Sequence, residues 1–206
     1  MGGRAGGGAG FGSRGGGYAK NPNLSTSEGR EEQKRLLEIS SMLSPLNNIK
    51  DPKVKAEIKE ALESYSKEIG LPYEVQIIAS DLAKGRLGAT DGGGSITLNT
   101  KYFNKSAKNA EKELSDRMKA GKGVTTNKPL QSTVHHELAH NTYSKLSGAK
   151  KDAVDALYKK YMSDKKAKGW GSYSKKNAEE FYAEGIAKSM TGKSDAYTKA
   201  LRKLTW

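Results

Sequence analysis

The segment 134–143, with the sequence VHHELAHNTY, contains all three histidines of the chain. Within it, His136, Glu137 and His140 form the pattern HExxH. Residues four apart on a helix share one face and lie about 6 Å apart along the axis, so the two rings can reach one ion. Glu137 projects about 100° further around the helix, where its carboxylate can take a proton from a water beside that ion. The spacing therefore predicts a metal site with a general base on a single helix.

The remaining histidine, His135, should point away from the ligand face. We expect it to support the site from behind the ligands or to lie at the surface, and not to bind the metal. The alternative for the whole segment is that three histidines cluster by chance and that Glu137 is an ordinary residue on a helix surface.

The third metal ligand must come from elsewhere in the chain. Catalytic zinc usually has three protein ligands and keeps a fourth position for water. The chain has no cysteine, which excludes disulfides, zinc ribbons, iron–sulfur clusters and thiol catalysis, and no histidine follows His140. The missing ligand is therefore expected to be a carboxylate from a later helix.

A candidate lies in the segment 172–190, SYSKKNAEEFYAEGIAKSM, which contains Glu179, Glu180 and Glu184. On a helix, Glu180 and Glu184 share a face with Asn177, while much of the remaining helix surface is apolar. Burying a carboxylate without a partner is costly, so two on an inward face favour a cation or hydrogen-bonded imidazoles. The alternative is an amphipathic helix whose glutamates pair with the abundant lysines.

Together, HExxH and the pattern SYxxxNxxEFxAE resemble the catalytic domain of the anthrax lethal factor family of zinc metalloproteases. The resemblance extends to related metallopeptidase domains of bacterial toxins and phage head-associated proteins. Carried over residue by residue, it implies that His136, His140 and Glu180 bind one zinc ion and that Glu137 is the general base. It also implies that Tyr173 assists at the metal, where its hydroxyl could donate a hydrogen bond to an oxyanion.

The same resemblance implies a zincin-like fold in which Glu184 orients a histidine that binds the metal. We expect Asn177 and His135 to lie around the ligands as well. The matching region runs from about His136 to Met190. The receptor-binding and substrate-recognition regions of the toxin have no counterpart in it, so the toxin's target and its route into cells do not transfer.

Zincins commonly place an edge strand ahead of the HExxH helix, and the alternating segment Ser95–Phe103 fits that position. An extended peptide could add to this strand along Ile96, Thr97, Leu98 and Asn99. The alternative is that the strand belongs to the sheet without contacting a substrate.

Helices and a short sheet must hold these groups in place. The apolar spacing predicts helices over the following segments: Arg30–Leu43, Asp51–Ile69, Ala107–Ala120, Pro129–Leu146, Lys175–Met190 and Ser194–Leu204. Between the fourth and fifth of these, inward-facing residues from Val154 to Tyr161 predict one more helix. Two strands are predicted, Tyr73–Ser80 and Ser95–Phe103, the second reached through a turn at 91–94. This order of elements indicates an α+β fold and not a parallel βαβ array.

Composition changes along the chain predict its organisation. A glycine-rich start predicts a flexible tail over 1–27, followed by N-terminal helices over 28–70 and a zincin-like catalytic domain over 71–206. We see no secretory signal peptide and no apolar run long enough to span a bilayer. We therefore expect a soluble protein that is cytoplasmic, carried in a virion, or exported by a non-Sec route.

The net charge of +13 should draw the protein towards anionic surfaces. Arg4 and Arg14 in their glycine context are similar to a sparse RGG segment, so weak contact with nucleic acid or an acidic partner is expected. The alternative is a solvated surface, because the lysines are spread along the chain.

We expect a zinc-dependent metallopeptidase that acts on a protein or peptide substrate with one zinc ion. Two alternatives stay open. One is a structural or accessory protein of a virion or toxin with a zincin fold and little turnover. The other is a basic nucleic-acid-binding protein, whose affinity should fall steeply with salt and survive chelation.

Overall fold

The computed structural model describes residues 22–43, 46–71, 75–83, 85–91 and 94–205. Most of the predicted glycine-rich tail lies outside the described residues, together with Arg4 and Arg14. The predicted start of the first strand at Tyr73 and the middle of the turn at 91–94 also lie outside them.

The chain divides into two units, Met1–Lys34 and Arg35–Trp206. In the described part of the first unit, the Thr26 hydroxyl accepts a hydrogen bond from the Gly29 amide, 3.0 Å away. A hydroxyl in this position satisfies one of the amides that a helix start leaves without a partner. Thr26 therefore caps the first helix of the chain.

Helices dominate the described residues, and one small sheet accompanies them, which confirms the predicted α+β class. The helices are the following: α1 (Ser27–Leu43), α2 (Pro52–Glu68), α3 (Thr100–Phe103), α4 (Ala107–Lys119), α5 (Pro129–Lys145), α6 (Gly148–Ser163), α7 (Ala178–Thr191) and α8 (Ala196–Thr205). Short 3-10 turns lie at Leu46–Asn48 and Ser172–Lys175.

The sheet is mixed and has the order β1-β3-β2. Its strands are β1 (Gln76–Ser80), β2 (Gly88–Thr90) and β3 (Ser95–Asn99). β1 runs parallel to β3 and β2 runs antiparallel to it. The sequence does not predict β2, because Gly88 and Ala89 have weak strand propensity and alternation cannot be recognised over so short a run.

Two predictions about the second strand are wrong. β3 is the central strand and is hydrogen-bonded on both sides, so a peptide cannot add to it along Ile96–Asn99. The strand also ends at Asn99 and does not continue to Phe103. The Asn99 side chain accepts a hydrogen bond from the Lys101 amide at 3.1 Å, and this cap starts helix α3.

Helix α5 lies at the centre of the second unit, where α2, α4, α7 and two strands contact it. Pro129 opens the helix, because its fixed φ suits the first turn. Val134 and Leu138 are fully buried in the apolar core, and the polar residues His135 and Glu137 are buried as well. A helix enclosed in this way can carry polar groups only where partners surround them.

Helix α7 packs along α5 and brings the second motif to the first. Asn177 caps it, because the Asn177 side chain accepts a hydrogen bond from the Glu180 amide at 2.8 Å. Gly185 lies against Leu201 of α8 and the ring of Trp170, and any Cβ at this position would collide with Leu201. The cap and the close packing fix how α7 presents its glutamates to α5.

No helix among the described residues combines the length and the apolarity needed to cross a membrane.

Candidate metal centre

Three donor atoms from α5 and α7 converge in a cleft of about 380 Å³. His136 Nε2 lies 3.1 Å from His140 Nε2 and 3.3 Å from Glu180 Oε2. The third side of this triangle, from His140 Nε2 to Glu180 Oε2, measures 3.6 Å. Three tetrahedral ligands held about 2.1 Å from a zinc ion would lie about 3.4 Å apart. The triangle therefore has the size that a bound metal ion requires.

Each histidine ring has a carboxylate beside its other nitrogen. Glu179 Oε1 lies 2.9 Å from His140 Nδ1, and Glu184 Oε1 lies 3.7 Å from His136 Nδ1. Carboxylates in these positions favour the tautomer with the proton on Nδ1, which leaves each Nε2 as an acceptor. Glu180 Oε2 is also buried without a hydrogen-bond partner among the described residues. Three acceptors that face one another favour a cation between them.

The charges of the cluster also favour a cation. Burial alone would lower the pKa of His136, but Glu180, Glu184 and Glu137 outweigh burial and raise it to about 9. Burial would raise the pKa of Glu180, yet the nearby rings of His136 and His140 outweigh burial and hold it well below its ordinary range. The metal-free cluster therefore holds a proton at neutral pH, and an incoming metal ion must displace it.

Glu137, the predicted general base, lines the same cleft and is 7% exposed. Burial raises the pKa of its carboxyl group, and the two nearby histidines oppose this shift. β2 passes directly over the side chain: a Cβ built on Gly88 would lie 2.6 Å from Glu137 Oε1. A side-chain carbon at position 88 would displace the Glu137 carboxylate, so a glycine here allows the carboxylate to keep its position.

Tyr173 lies in the 3-10 turn before α7 and lines the cleft beside the donors. Lys176 Nζ lies 3.2 Å from the centre of its ring, so a cation covers this ring face. Asn177 does not hold the ligand side chains as expected. It caps α7 through the Glu180 amide, and so it positions the third donor through the backbone.

His135 lies on the opposite face of α5, and its expected place around the ligands or at the surface is corrected. The side chain is 1% exposed, with Nε2 at 3.0 Å from the Ala61 carbonyl oxygen and 3.1 Å from Ser64 Oγ, both on α2. Burial lowers the pKa of His135 to about 4, so the ring is neutral at neutral pH. Each helix step turns by about 100°, and this turn separates His135 from His136.

The sequence pattern assigns no role in the site to two of its residues. Glu179 is 46% exposed and reads as a surface residue, although its place on α7 brings it to His140. Gly88 belongs to a strand that is too short to predict, and the glycines at 85 and 88 are the only local signal for a close backbone approach.

The structure thus unites most of the predicted site residues around one cleft. Those that line it are the following: His136, Glu137, His140, Tyr173, Asn177, Glu180 and Glu184. His135 and the strand Ile96–Asn99 are placed elsewhere. No family model, curated protein or solved structure matches the chain.

Proposed function

We propose that this chain is a zinc-dependent metallopeptidase with a zincin-like fold that hydrolyses protein or peptide substrates. The observation that carries the proposal is the convergence of His136 Nε2, His140 Nε2 and Glu180 Oε2 in a cleft that also contains Glu137. The HExxH spacing and the resemblance to lethal factor-type metalloproteases favour the same chemistry.

The donor set favours zinc over other ions. Two imidazole nitrogens and one carboxylate oxygen are typical ligands of catalytic zinc, whereas magnesium and calcium prefer oxygen ligands throughout. The side chains of His136, His140 and Glu180 are 17%, 12% and 18% exposed, so an ion and a substrate can reach them. When bound, a zinc ion activates water and polarises a peptide carbonyl group.

The remaining chemistry is assigned to side chains of this cleft. Glu137 accepts the proton of the attacking water and passes it to the leaving amine, and its raised pKa suits a group that must do both. Tyr173 is the candidate donor to the oxyanion, a contribution of typically about 3 kcal/mol. Glu184 and Glu179 hold the two histidine rings from behind.

β2 takes the place that the sequence suggested for β3 as the strand next to a substrate. Among the described strands it pairs on one side only. The Leu87 carbonyl accepts a hydrogen bond from the Asn99 amide, so in the antiparallel alternation the N–H and C=O of Gly88 point away from β3. Because Gly88 also lines the cleft, we expect an extended peptide to pair with the backbone there.

The substitution Glu137→Gln tests the proposal, because it removes the base and leaves the three donors in place. The variant should retain one zinc ion per chain while its rate of peptide cleavage falls by about 100- to 10,000-fold. Cleavage is measured by mass spectrometry of new N-termini in a mixture of unfolded proteins. Glu111→Gln, at an exposed position of α4, is the matched control and should leave the rate unchanged.

Other outcomes identify the competing functions. A zinc-loaded wild-type chain that cleaves nothing, or equal rates in the wild type and Glu137→Gln, would contradict the proposal. An accessory protein with a zincin fold would bind zinc and keep its biological role in the Glu137→Gln variant. A nucleic-acid-binding protein would show affinity that falls steeply with salt and is indifferent to chelation.

A further inference from the structure

Cationic side chains from three separate segments line the cleft together with the metal donors. They are the following: Arg86 in the turn before β2, Arg117 in the last turn of α4, Lys122 just after α4, and Lys176 in the turn before α7. Separate segments converge at this cleft, so local sequence composition does not account for the grouping.

The acidic side chains of the cleft already face the histidines. Glu179 and Glu184 lie beside the Nδ1 atoms, and Glu180 lies beside the Nε2 atoms. Lys176 approaches Glu180 Oε1 at 3.9 Å, so part of its charge is compensated. Within the part of the chain that the structure describes, no carboxylate forms an ion pair with the other three cations.

Arg117 is held in place by neutral groups, so it is ordered without losing its charge to an anion. Its Nη2 donates to the Gly85 carbonyl at 2.7 Å, and its Nη1 donates to the Tyr102 hydroxyl at 3.3 Å. The guanidinium carbon also lies 5.2 Å from the centre of the Tyr102 ring. The bond to Gly85 ties the turn that carries Arg86 to the end of α4.

One wall of the cleft is positively charged, because Arg86 and Lys122 line it together with Arg117. Both side chains are exposed, and the Lys122 amide bonds to the Arg117 carbonyl oxygen at 3.0 Å, which places the residue after α4 beside Arg117. Arg86 lines the same cleft as Glu137, so its positive charge lies within the space that a substrate of Glu137 would enter.

We propose that the cleft selects acidic peptide segments, with Arg86, Arg117 and Lys122 binding Asp or Glu side chains that flank the cleaved bond. This inference rests on the proposed peptidase function and names the substrate class of the same site. Fixed cations raise the local concentration of an anionic partner and discriminate against a cationic one.

A peptide fits these observations better than a nucleic acid does. Channels for single-stranded nucleic acid combine cations with aromatic rings on which the bases stack. Apart from the two histidines of the metal centre, Tyr173 is the one aromatic residue among the described residues that line the cleft, and Lys176 covers a face of its ring. The outward backbone groups of Gly88 instead offer hydrogen bonds that suit an extended peptide.

Binding to the zinc-loaded Glu137→Gln chain tests the proposal without requiring turnover. The probes are a peptide with Asp and Glu around a central apolar pair and a matched peptide with Asn and Gln, each carrying an uncharged fluorophore. The acidic peptide should bind about tenfold more tightly, as a few partly exposed ion pairs would produce. Arg86→Glu with Lys122→Glu should remove this preference.

Lys199→Glu with Lys203→Glu is the matched control, because it makes the same change in net charge at two exposed positions of α8. We expect it to change the affinity by less than about twofold. A loss equal to that of the cleft pair would overturn the proposal, because the preference would then come from the overall charge. Tighter binding of a single-stranded oligonucleotide of equal charge, which displaces the acidic peptide and is lost in Arg86→Glu with Lys122→Glu, would overturn it as well.

Cleavage of the same two peptides by the wild type separates this proposal from the one it rests on. Efficient cleavage of both at equal rates, with equal binding, refutes acidic selection and leaves the peptidase intact. The opposite result is that neither peptide is cleaved, while the wild type prefers the acidic peptide and Arg86→Glu with Lys122→Glu does not. That result refutes the peptidase and supports the binding of acidic peptides by the cleft cations.

Discussion

Adjacent histidines on α5 have opposite surroundings. His135 faces α2, is 1% exposed and contacts the neutral oxygens of Ala61 and Ser64, and burial lowers its pKa to about 4. The His136 side chain faces α7 and is 17% exposed, and the surrounding carboxylates overcome burial and raise its pKa to about 9. A rotation of about 100° around the helix axis, from one residue to the next, therefore reverses the direction of the pKa shift.

The comparison shows what distinguishes a packing face from a binding face. Beside His135 on the α2 side, two neutral hydroxyl groups meet, because the Tyr65 hydroxyl lies 2.6 Å from Thr142 Oγ1. On the α7 side, buried carboxylate oxygens of Glu180 and Glu184 have no hydrogen-bond partner among the described residues. On the α2 face the buried atom without a partner is a nitrogen of a neutral ring, His135 Nδ1, whereas on the α7 face such atoms are carboxylate oxygens, which attract a cation.

Removing the metal should produce the largest effect. With free zinc about a thousandfold above its Kd, binding should raise the free energy of unfolding by about 4 kcal/mol. His140→Ala should abolish this increase, whereas His135→Gln should keep it, because only the first change removes a donor. Urea unfolding with and without chelator measures the increase, and any cost of the substitution itself cancels in that difference. Equal loss in both variants would show that the two faces are not distinct.

His135 should produce the next largest effect, seen as pH dependence in the metal-free chain. Below pH 6.5 the unfolded chain protonates this ring, but the folded chain does not until about pH 4. Stability is therefore lost as pH falls through this window, by up to about 3 kcal/mol. Urea unfolding of the wild type and of His135→Gln at pH 7 and at lower pH measures this loss, which should be smaller in the variant by about the contribution of His135.

His136→Gln sharpens this prediction, because its sign should be opposite. A raised pKa contributes stability that is fully present below pH 6.5 and is lost as pH rises towards about 9. In chelator, the variant should therefore lack a decline in stability on the alkaline side. The same direction of change in both variants would contradict the assignment of the two rings to different environments.

The carboxylates behind the rings should have the smallest effects. Glu184→Gln should weaken zinc binding by about 10- to 100-fold, because such partners orient the ligands and raise their basicity. Glu179→Gln should weaken it less, since the Glu179 side chain is 46% exposed and water can replace it at His140. Competition with a chromophoric chelator measures both affinities. A larger loss in Glu179→Gln than in Glu184→Gln would reverse the expected ranking.

The helical part of the site could be predicted from the sequence because helix geometry is local. The spacing of His136 and His140 determines that they share a face, and the same periodicity places Glu180 and Glu184 on one side of α7. Their meeting across the two helices needed the second motif, since packing between distant segments leaves no periodic signal. The contact of Glu179 with His140 was not predicted, because an exposed glutamate beside Glu180 resembles any other surface residue.

The sheet was harder to predict because its pairings are not local. The β-branched segments predicted β1 and β3. Nothing in them indicates that β2 pairs with β3 and makes it the central strand of the sheet instead of an edge strand. The role of Gly88 depends on its contact with Glu137, which only the folded chain creates. The capping side chain of Asn99, which ends β3 early, is a signal that the alternation of the strand conceals.

Zinc content is the most direct test of the central claim, that the α7 face of α5 binds a metal ion and the α2 face does not. Wild type, His135→Gln and the double variant His136→Ala/His140→Ala are dialysed against the same low concentration of zinc and analysed by elemental mass spectrometry. We predict one zinc ion per chain in the wild type and in His135→Gln, and none in the double variant. Zinc-free wild-type protein, or equal zinc in all three chains, would contradict the account.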